Sequence, residues 1–168
     1  KEELEDTLNE DDPLKEEEHT PVPYLVHKYP DRVLLLVSST CAMYCRFCTR
    51  KRKVGRVQQI PLKDVFHAID YIRSHQEVRD VIVSGGDPLM RPDRELEQIL
   101  QKLREISHVE VIRIGTRIPC VNPARITKRL ANMLKKYHPL FMNIHFNHPS
   151  EITEDVKVAC ATLADVGI

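Results

Sequence analysis

The sequence has little of what several large functional classes require. No uncharged apolar run approaches the roughly 18 residues that a membrane helix needs, which excludes a helical membrane span. No secretory signal or small-residue cleavage site opens the chain, and it does not begin with Met, so a soluble piece of something longer is expected. Aromatic residues are only 5% of the 168, too few for the nucleic-acid modules that interleave aromatic with basic side chains. Five cysteines, an odd number in a chain without export signals, argue against a disulfide framework and for metal or redox use. Disorder is excluded as well, because 42% of the residues are apolar, enough for the core of about one domain.

Charge is balanced overall, with 25 bases against 25 acids, but not along the chain. Residues 1–18 hold ten acids and only Lys1 and Lys15, whereas residues 19–168 carry 23 bases and 15 acids. The acidic head reads as a solvated arm, residues 1–30 with its lead-in, laid over a body at 31–168. The basic excess of that body calls for anionic ligands, such as the phosphates or carboxylates of small molecules or a nucleic acid.

Four short apolar runs, Val33–Val37, Val81–Val83, Val109–Ile114 and Leu140–Phe146, have the branched composition of buried parallel strands. Each is followed by an amphipathic segment with helical spacing: 64–75, 93–106, 127–137 and 153–166, with Asp93 as a plausible N-cap and Gly167 as a helix stop. Four βα units argue for an α/β fold with a parallel sheet, preceded by the acidic arm. Four strands cannot close a barrel, and the sequence stops where a fifth would start, so the first half of a larger barrel is expected. A flavodoxin-like doubly wound sheet also satisfies the periodicity. The unusual residues cluster in Thr40–Arg56, Ser84–Pro88, Gly115–Pro119 and His145–Pro149, each at a strand's C-terminal end, where α/β folds build active sites.

The sharpest motif is Cys41-Ala-Met-Tyr-Cys45-Arg-Phe-Cys48. Three thiols at x3 and x2 spacing on one loop suit a single metal centre. Structural zinc wants four ligands in two short pairs, and no second pair is visible. A four-iron four-sulfur (4Fe-4S) cluster on three thiolates leaves one iron open to a substrate. Ser84-Gly85-Gly86-Asp87-Pro88 follows the second strand; two glycines permit close backbone approach, and Asp87 can accept from an ammonium group. From Arg46 to Arg56 there are six bases and no acid. Lys51, Arg52, Lys53 and Arg56 read as a solvated face. Arg113 shares its face with Val109 and Val111 and therefore needs a partner. Arg117 sits in a post-strand loop suited to an anion, His145 and His148 suit either a pocket or structural bonding, and Cys120 and Cys160 read as small apolar fillers.

The cysteine triad after a first strand, with Phe47 before its last cysteine, resembles the radical S-adenosylmethionine (SAM) superfamily. Tyr29-Pro-Asp-Arg32-Val-Leu-Leu-Leu, Cys45-Arg-Phe-Cys48-Thr-Arg50, Ser84-Gly-Gly-Asp87, Arg113-Ile-Gly-Thr-Arg117 and His145-Phe-Asn-His148-Pro-Ser-Glu-Ile-Thr resemble the lysine 2,3-aminomutase family in particular. That resemblance implies half of a radical-SAM partial (β/α) barrel holding a 4Fe-4S cluster on Cys41, Cys45 and Cys48. It implies SAM contacts from Phe47, Ser84, Gly85, Gly86, Asp87 and His145, and Arg50 as the clamp on the substrate α-carboxylate. Lys28, Tyr29 and Arg32 are implied to lie near pyridoxal 5′-phosphate (PLP). The implied reaction uses a 5′-deoxyadenosyl radical to move an amino group from the α- to the β-carbon of an amino acid held on PLP.

L-Lysine is the expected substrate, with glutamate, or a lysine destined for elongation factor P, as alternatives. Phe47 and Lys28 stand where lysine-specific members tend to carry His and Arg, which leaves glutamate open. The family's PLP-bearing lysine belongs to a Gly-rich stretch that these residues do not contain, so the segment by itself is expected to load iron without turning over. A low-potential electron donor such as ferredoxin or flavodoxin, a homo-oligomeric full-length protein and the cytoplasm complete the expectations.

Overall fold

A computed structural model describes residues 12–55 and 59–168. The acids from Glu2 to Asp11, together with Arg56, lie outside the described residues. Five strands form one sheet in the order β1 to β5: β1 (Leu25–Tyr29), β2 (Arg32–Ser38), β3 (Asp80–Gly85), β4 (Val111–Thr116) and β5 (Leu140–Ile144). β2 through β5 run parallel, and β1 adds to the edge of β2 antiparallel. Strands laid side by side in chain order have no switch point where the order reverses. That excludes the doubly wound alternative and matches an opened (β/α) barrel.

The helices arise where the spacing predicts them. α1 (Leu62–Ser74) buries Val65, Ala68, Ile69 and Ile72; α2 (Asp93–Arg104) buries Leu96, Ile99, Leu100 and Leu103. α3 (Ile118–Val121) is a single turn after β4. Thr127 and Thr153 cap α4 (Lys128–Lys135) and α5 (Glu154–Ala164), their side chains accepting from Leu130 N and Val156 N. These helix faces pack with Val33, Leu35, Val37, Val81, Val83, Ile112, Ile114 and Leu140 in one core. Each fully buried aliphatic side chain there contributes about 1.5–3 kcal/mol. The opposite sheet face is half-open: Leu34 and Arg113 are partly exposed and Phe141 is 54% exposed.

Three expectations need correction. Residues 25–29, assigned to the arm, are a strand of the sheet: Leu25 pairs with Leu35 and Val26 with Leu34, so their apolar side chains reach the core. Asp93 is the first residue of α2 and not its cap. Pro92 occupies that position, and Asp93 instead receives Arg125 at 2.6 Å and Arg129 at 2.8 Å. The third run becomes a strand only at Val111. Arg113, half-exposed, does find a partner: buried Asp80 accepts from it at 3.1 Å and from Arg32 at 2.8 Å. Among the described residues no helix is long and apolar enough to cross a membrane.

One buried cation ties the layers together. Arg91, 2% exposed, follows the 3-10 turn Pro88–Met90 and donates to the carbonyls of Val37 and Ile60 and to Glu95. It joins the C-terminal end of β2, the lead into α1 and the first turns of α2. Arg91→Met strands two buried carbonyls and removes a buried guanidinium from its half-exposed partner Glu95. Urea unfolding should report a loss of about 3 kcal/mol; a loss below about 1 kcal/mol would show that these bonds are replaceable.

Candidate active site

The site begins where two strand ends meet. Ser38 closes β2, Gly85 closes β3, and the two chains leave the sheet almost in contact: Gly86 N donates to Ser38 O at 2.6 Å and Asp87 N to Thr40 O at 2.8 Å. A side chain at either glycine is impossible without moving backbone. A Cβ on Gly85, whose φ is +121°, would lie 2.3 Å from Ser38 O, and one on Gly86 would lie 2.4 Å from Thr40 O. The chain then continues past this junction into Cys41, so the glycine pair fixes where the cysteine loop starts. The far end of that loop is tied back by Gly55 N donating to Ser39 O at 2.8 Å.

Asp87 serves this architecture from inside. Its carboxylate, 4% exposed, accepts from Leu89 N (3.0 Å), Thr116 Oγ1 (2.8 and 2.9 Å) and Arg117 N (2.8 Å). Burial pushes its carboxyl above the usual range, against the pull of these three donors. Both oxygens are occupied within the protein, and the residue locks the β3 loop to the β4 loop.

Cys41, Cys45 and Cys48 are free and partly exposed. With Phe47, Arg50, Ser84, Gly85, Gly86, Asp87 and His145 they line one basin of about 380 Å³. The basin thus gathers the expected cluster ligands, the expected SAM contacts and Arg50. The Phe47 and His145 rings sit 5.5 Å apart at its edge, tilted by 37°. Burial, reinforced by the charge of Asp87 and the neighbouring thiols, pushes the Cys41 thiol up to about 12. Metal binding must displace that proton, so loading is favoured as pH rises. Among the described residues no three His, Cys, Asp or Glu side chains are gathered around a point for one ion. Three thiols on one loop suit a cluster that offers each thiolate its own iron.

Arg50 is not free in the basin. Its Nε donates to both oxygens of Glu16 (2.9 and 3.1 Å) and its Nη2 to Glu16 Oε1 (2.5 Å). Glu16 is 4% exposed, so this end of the acidic head is not the solvated arm expected. Arg52, expected on a solvated face, is paired with Asp12 (2.7 Å) and Glu17 (3.1 Å). Residues 12–18 form a strap that lies on the basic loop because the loop supplies its counter-charges. Arg50 also borders a second cavity of about 400 Å³ toward Tyr24, Leu25 and Leu36.

Lys28, Tyr29 and Arg32 lie elsewhere. They sit where β1 turns into β2, at the N-terminal edge of the parallel strands, roughly 20 Å of strand from the cysteine loop. Lys28 Nζ donates to Leu14 O (3.1 Å), Tyr29 is 58% exposed and Arg32 is held by Asp80. Among the described residues no lysine lines the basin, so it does not fit the attachment of PLP. His148 caps the turn Pro149–Glu151 by accepting from Ser150 N. Cys120 is no inert filler: its Sγ donates to Glu151 Oε2 at 3.0 Å. Sequence reasoning also missed that Arg117 Nη1 reaches Cys45 Sγ at 3.1 Å. No local spacing signals a contact between residues 72 apart.

Residues 35–162 match the family model of the radical SAM superfamily, and the chain belongs to that superfamily. Within it the chain is 57% identical over 159 residues to an L-lysine 2,3-aminomutase of Clostridium subterminale, covering 94% of this chain and 38% of that protein. It is 56% identical over 158 residues to an L-lysine 2,3-aminomutase of Fusobacterium nucleatum, covering 94% and 37%. A glutamate 2,3-aminomutase of Clostridioides difficile is 48% identical over 167 residues, covering 99% and 40%. The chain spans about two fifths of the length of these curated relatives.

The glycine junction yields a direct expectation. Gly86→Ala must push the Thr40 carbonyl away and displace the start of the cysteine loop. The variant should fold with unchanged far-ultraviolet circular dichroism yet bind less than a third of the iron and sulfide taken up by the parent chain on anaerobic reconstitution. Full iron content would show that the loops need not approach so closely.

Proposed function

We propose that this segment is the radical-generating core of an amino acid 2,3-aminomutase, with L-lysine as substrate and L-glutamate as the second candidate. The observation that carries the reading is the basin: three thiols of one loop at the rim, two side-chain-free residues as its wall, and Arg50 at its border. A bound 4Fe-4S cluster and SAM would together supply a one-electron cleavage of a carbon–sulfur bond and hence a carbon radical able to abstract hydrogen.

The protein's own contribution is positional. Cys41, Cys45 and Cys48 would hold three irons of such a cluster, and the fourth would be open to a substrate. Gly85 and Gly86 line the basin, and because they lack a Cβ the end of β3 can pack against Ser38 and Thr40 and set where the cysteine loop begins. Phe47 and His145 present ring faces suited to a purine. Arg50 is gripped by Glu16 along its Nε and Nη2 edge, while Nη1 has no partner among the described residues. A planar guanidinium held by one carboxylate can offer its other edge to a second, the α-carboxylate of an amino acid.

The similarity to lysine enzymes supports lysine, and Phe47 together with the glutamate 2,3-aminomutase likeness keeps glutamate as the alternative. PLP, an external low-potential electron donor, assembly into a homo-oligomer and a cytoplasmic setting belong to the same reading, which the likeness to 2,3-aminomutases supports. The test is to reduce the anaerobically reconstituted protein with dithionite in the presence of SAM and the candidate amino acids. Release of 5′-deoxyadenosine and methionine in amounts that scale with iron content, lost in Cys45→Ala, is the expected result. A fully loaded protein that leaves SAM intact would refute the assignment.

A further inference from the structure

We propose that Arg117 is a positioning residue for the cluster's redox potential, donating a charged hydrogen bond to the ligand sulfur of Cys45, and that Glu151 sets the strength of that bond. The proposal rests on the three cysteines as cluster ligands and is independent of the aminomutase reading.

The guanidinium is aimed from both ends. Its backbone N–H is fixed on Asp87 Oδ2 at 2.8 Å, so the glycine-aspartate loop determines where residue 117 starts. Its far end is held by Glu151, which accepts from Nη2 at 3.0 Å. Glu151 is itself immobilised, accepting from Cys120 Sγ (3.0 Å) and Asn147 N (2.9 Å). The bonds from the Cys120 thiol and the Asn147 backbone hold the Glu151 carboxyl below its ordinary range, so it stays ionised at neutral pH. Between these anchors Nη1 lies 3.1 Å from Cys45 Sγ, with the Arg117 side chain only 14% exposed.

The physical effect has a definite sign. Reduction adds one electron from a low-potential donor to the cluster and its thiolates; no bond is made or broken at Arg117, and its proton stays on nitrogen. A fixed positive charge bonded to one ligand sulfur stabilises the more negative, reduced form, and hydrogen bonds to ligand sulfurs are a recognised lever on such potentials. Glu151 opposes the effect by neutralising part of that charge. The pair lets the protein set how easily the electron enters without altering the ligands.

The test is a reductive titration of the reconstituted chain followed by electron paramagnetic resonance, with iron and sulfide content measured on every sample. Arg117→Gln should keep its cluster and lower the midpoint by at least the equivalent of a tenfold change in the reduced-to-oxidised ratio, about 59 mV for one electron. Glu151→Gln should move it in the opposite direction, and Arg117→Lys should fall between parent and Arg117→Gln. An Arg117→Gln cluster with the parent midpoint overturns the proposal. If Arg117→Gln fails to load, Glu151→Gln decides: a raised midpoint supports the proposal, and an unchanged or lowered one overturns it.

Discussion

Everything at the functional end of this molecule depends on two backbones passing at hydrogen-bonding distance where side chains cannot fit. The ends of β2 and β3 come together because Gly85 and Gly86 have no Cβ to strike Ser38 and Thr40. Parallel strands normally diverge into separate loops at this edge. Here the junction makes the cysteine loop and the β3 loop one structural unit, sharing the hydrogen bonds of Gly86 and Asp87. Cys41, Cys45 and Cys48 therefore share one basin with Gly85 and Gly86.

Asp87 extends that unit to β4 through Thr116 and Arg117, and Arg117 extends it to β5 through Glu151. Three successive strand ends are thus coupled by one buried carboxylate and one guanidinium. The acidic strap completes the enclosure from the other side, where Glu16 holds Arg50 and Asp12 and Glu17 hold Arg52. Such bonds contribute less to global stability than the aliphatic core, because each requires removing charge from water. Their value is in orientation: they fix the directions of the side chains that border the basin, and orientation is what a site of this kind must supply.

The parallel sheet, its four long helices and the cysteine and glycine motifs were legible because each is a local pattern. A run such as Val33–Val37 or a triad such as Cys41, Cys45 and Cys48 is complete within a few residues. Strand β1 was not, since Leu-Val-His-Lys-Tyr offers only two core residues and gains its identity from pairing with β2. The burial of Glu16 was hidden for a similar reason: within an acidic run nothing distinguishes the one carboxylate that meets Arg50 across 34 residues. Asp87 illustrates a third case, in which the residue type was read correctly as an acceptor but its donors came from β4. Lys28, Tyr29 and Arg32 show the converse. Motif likeness places them near PLP, and strand direction sets them at the other end of the strands from the cysteine loop.

The central claim is that three cysteines carry a cluster whose fourth iron has no protein ligand and takes SAM instead. Mössbauer spectroscopy of the chain reconstituted with iron-57 tests it most directly, with and without SAM. One iron in four should acquire distinct parameters on SAM addition, while the other three keep those of sulfur-only coordination. Four irons that stay equivalent and indifferent to SAM, or zinc retained in place of iron, would contradict the account.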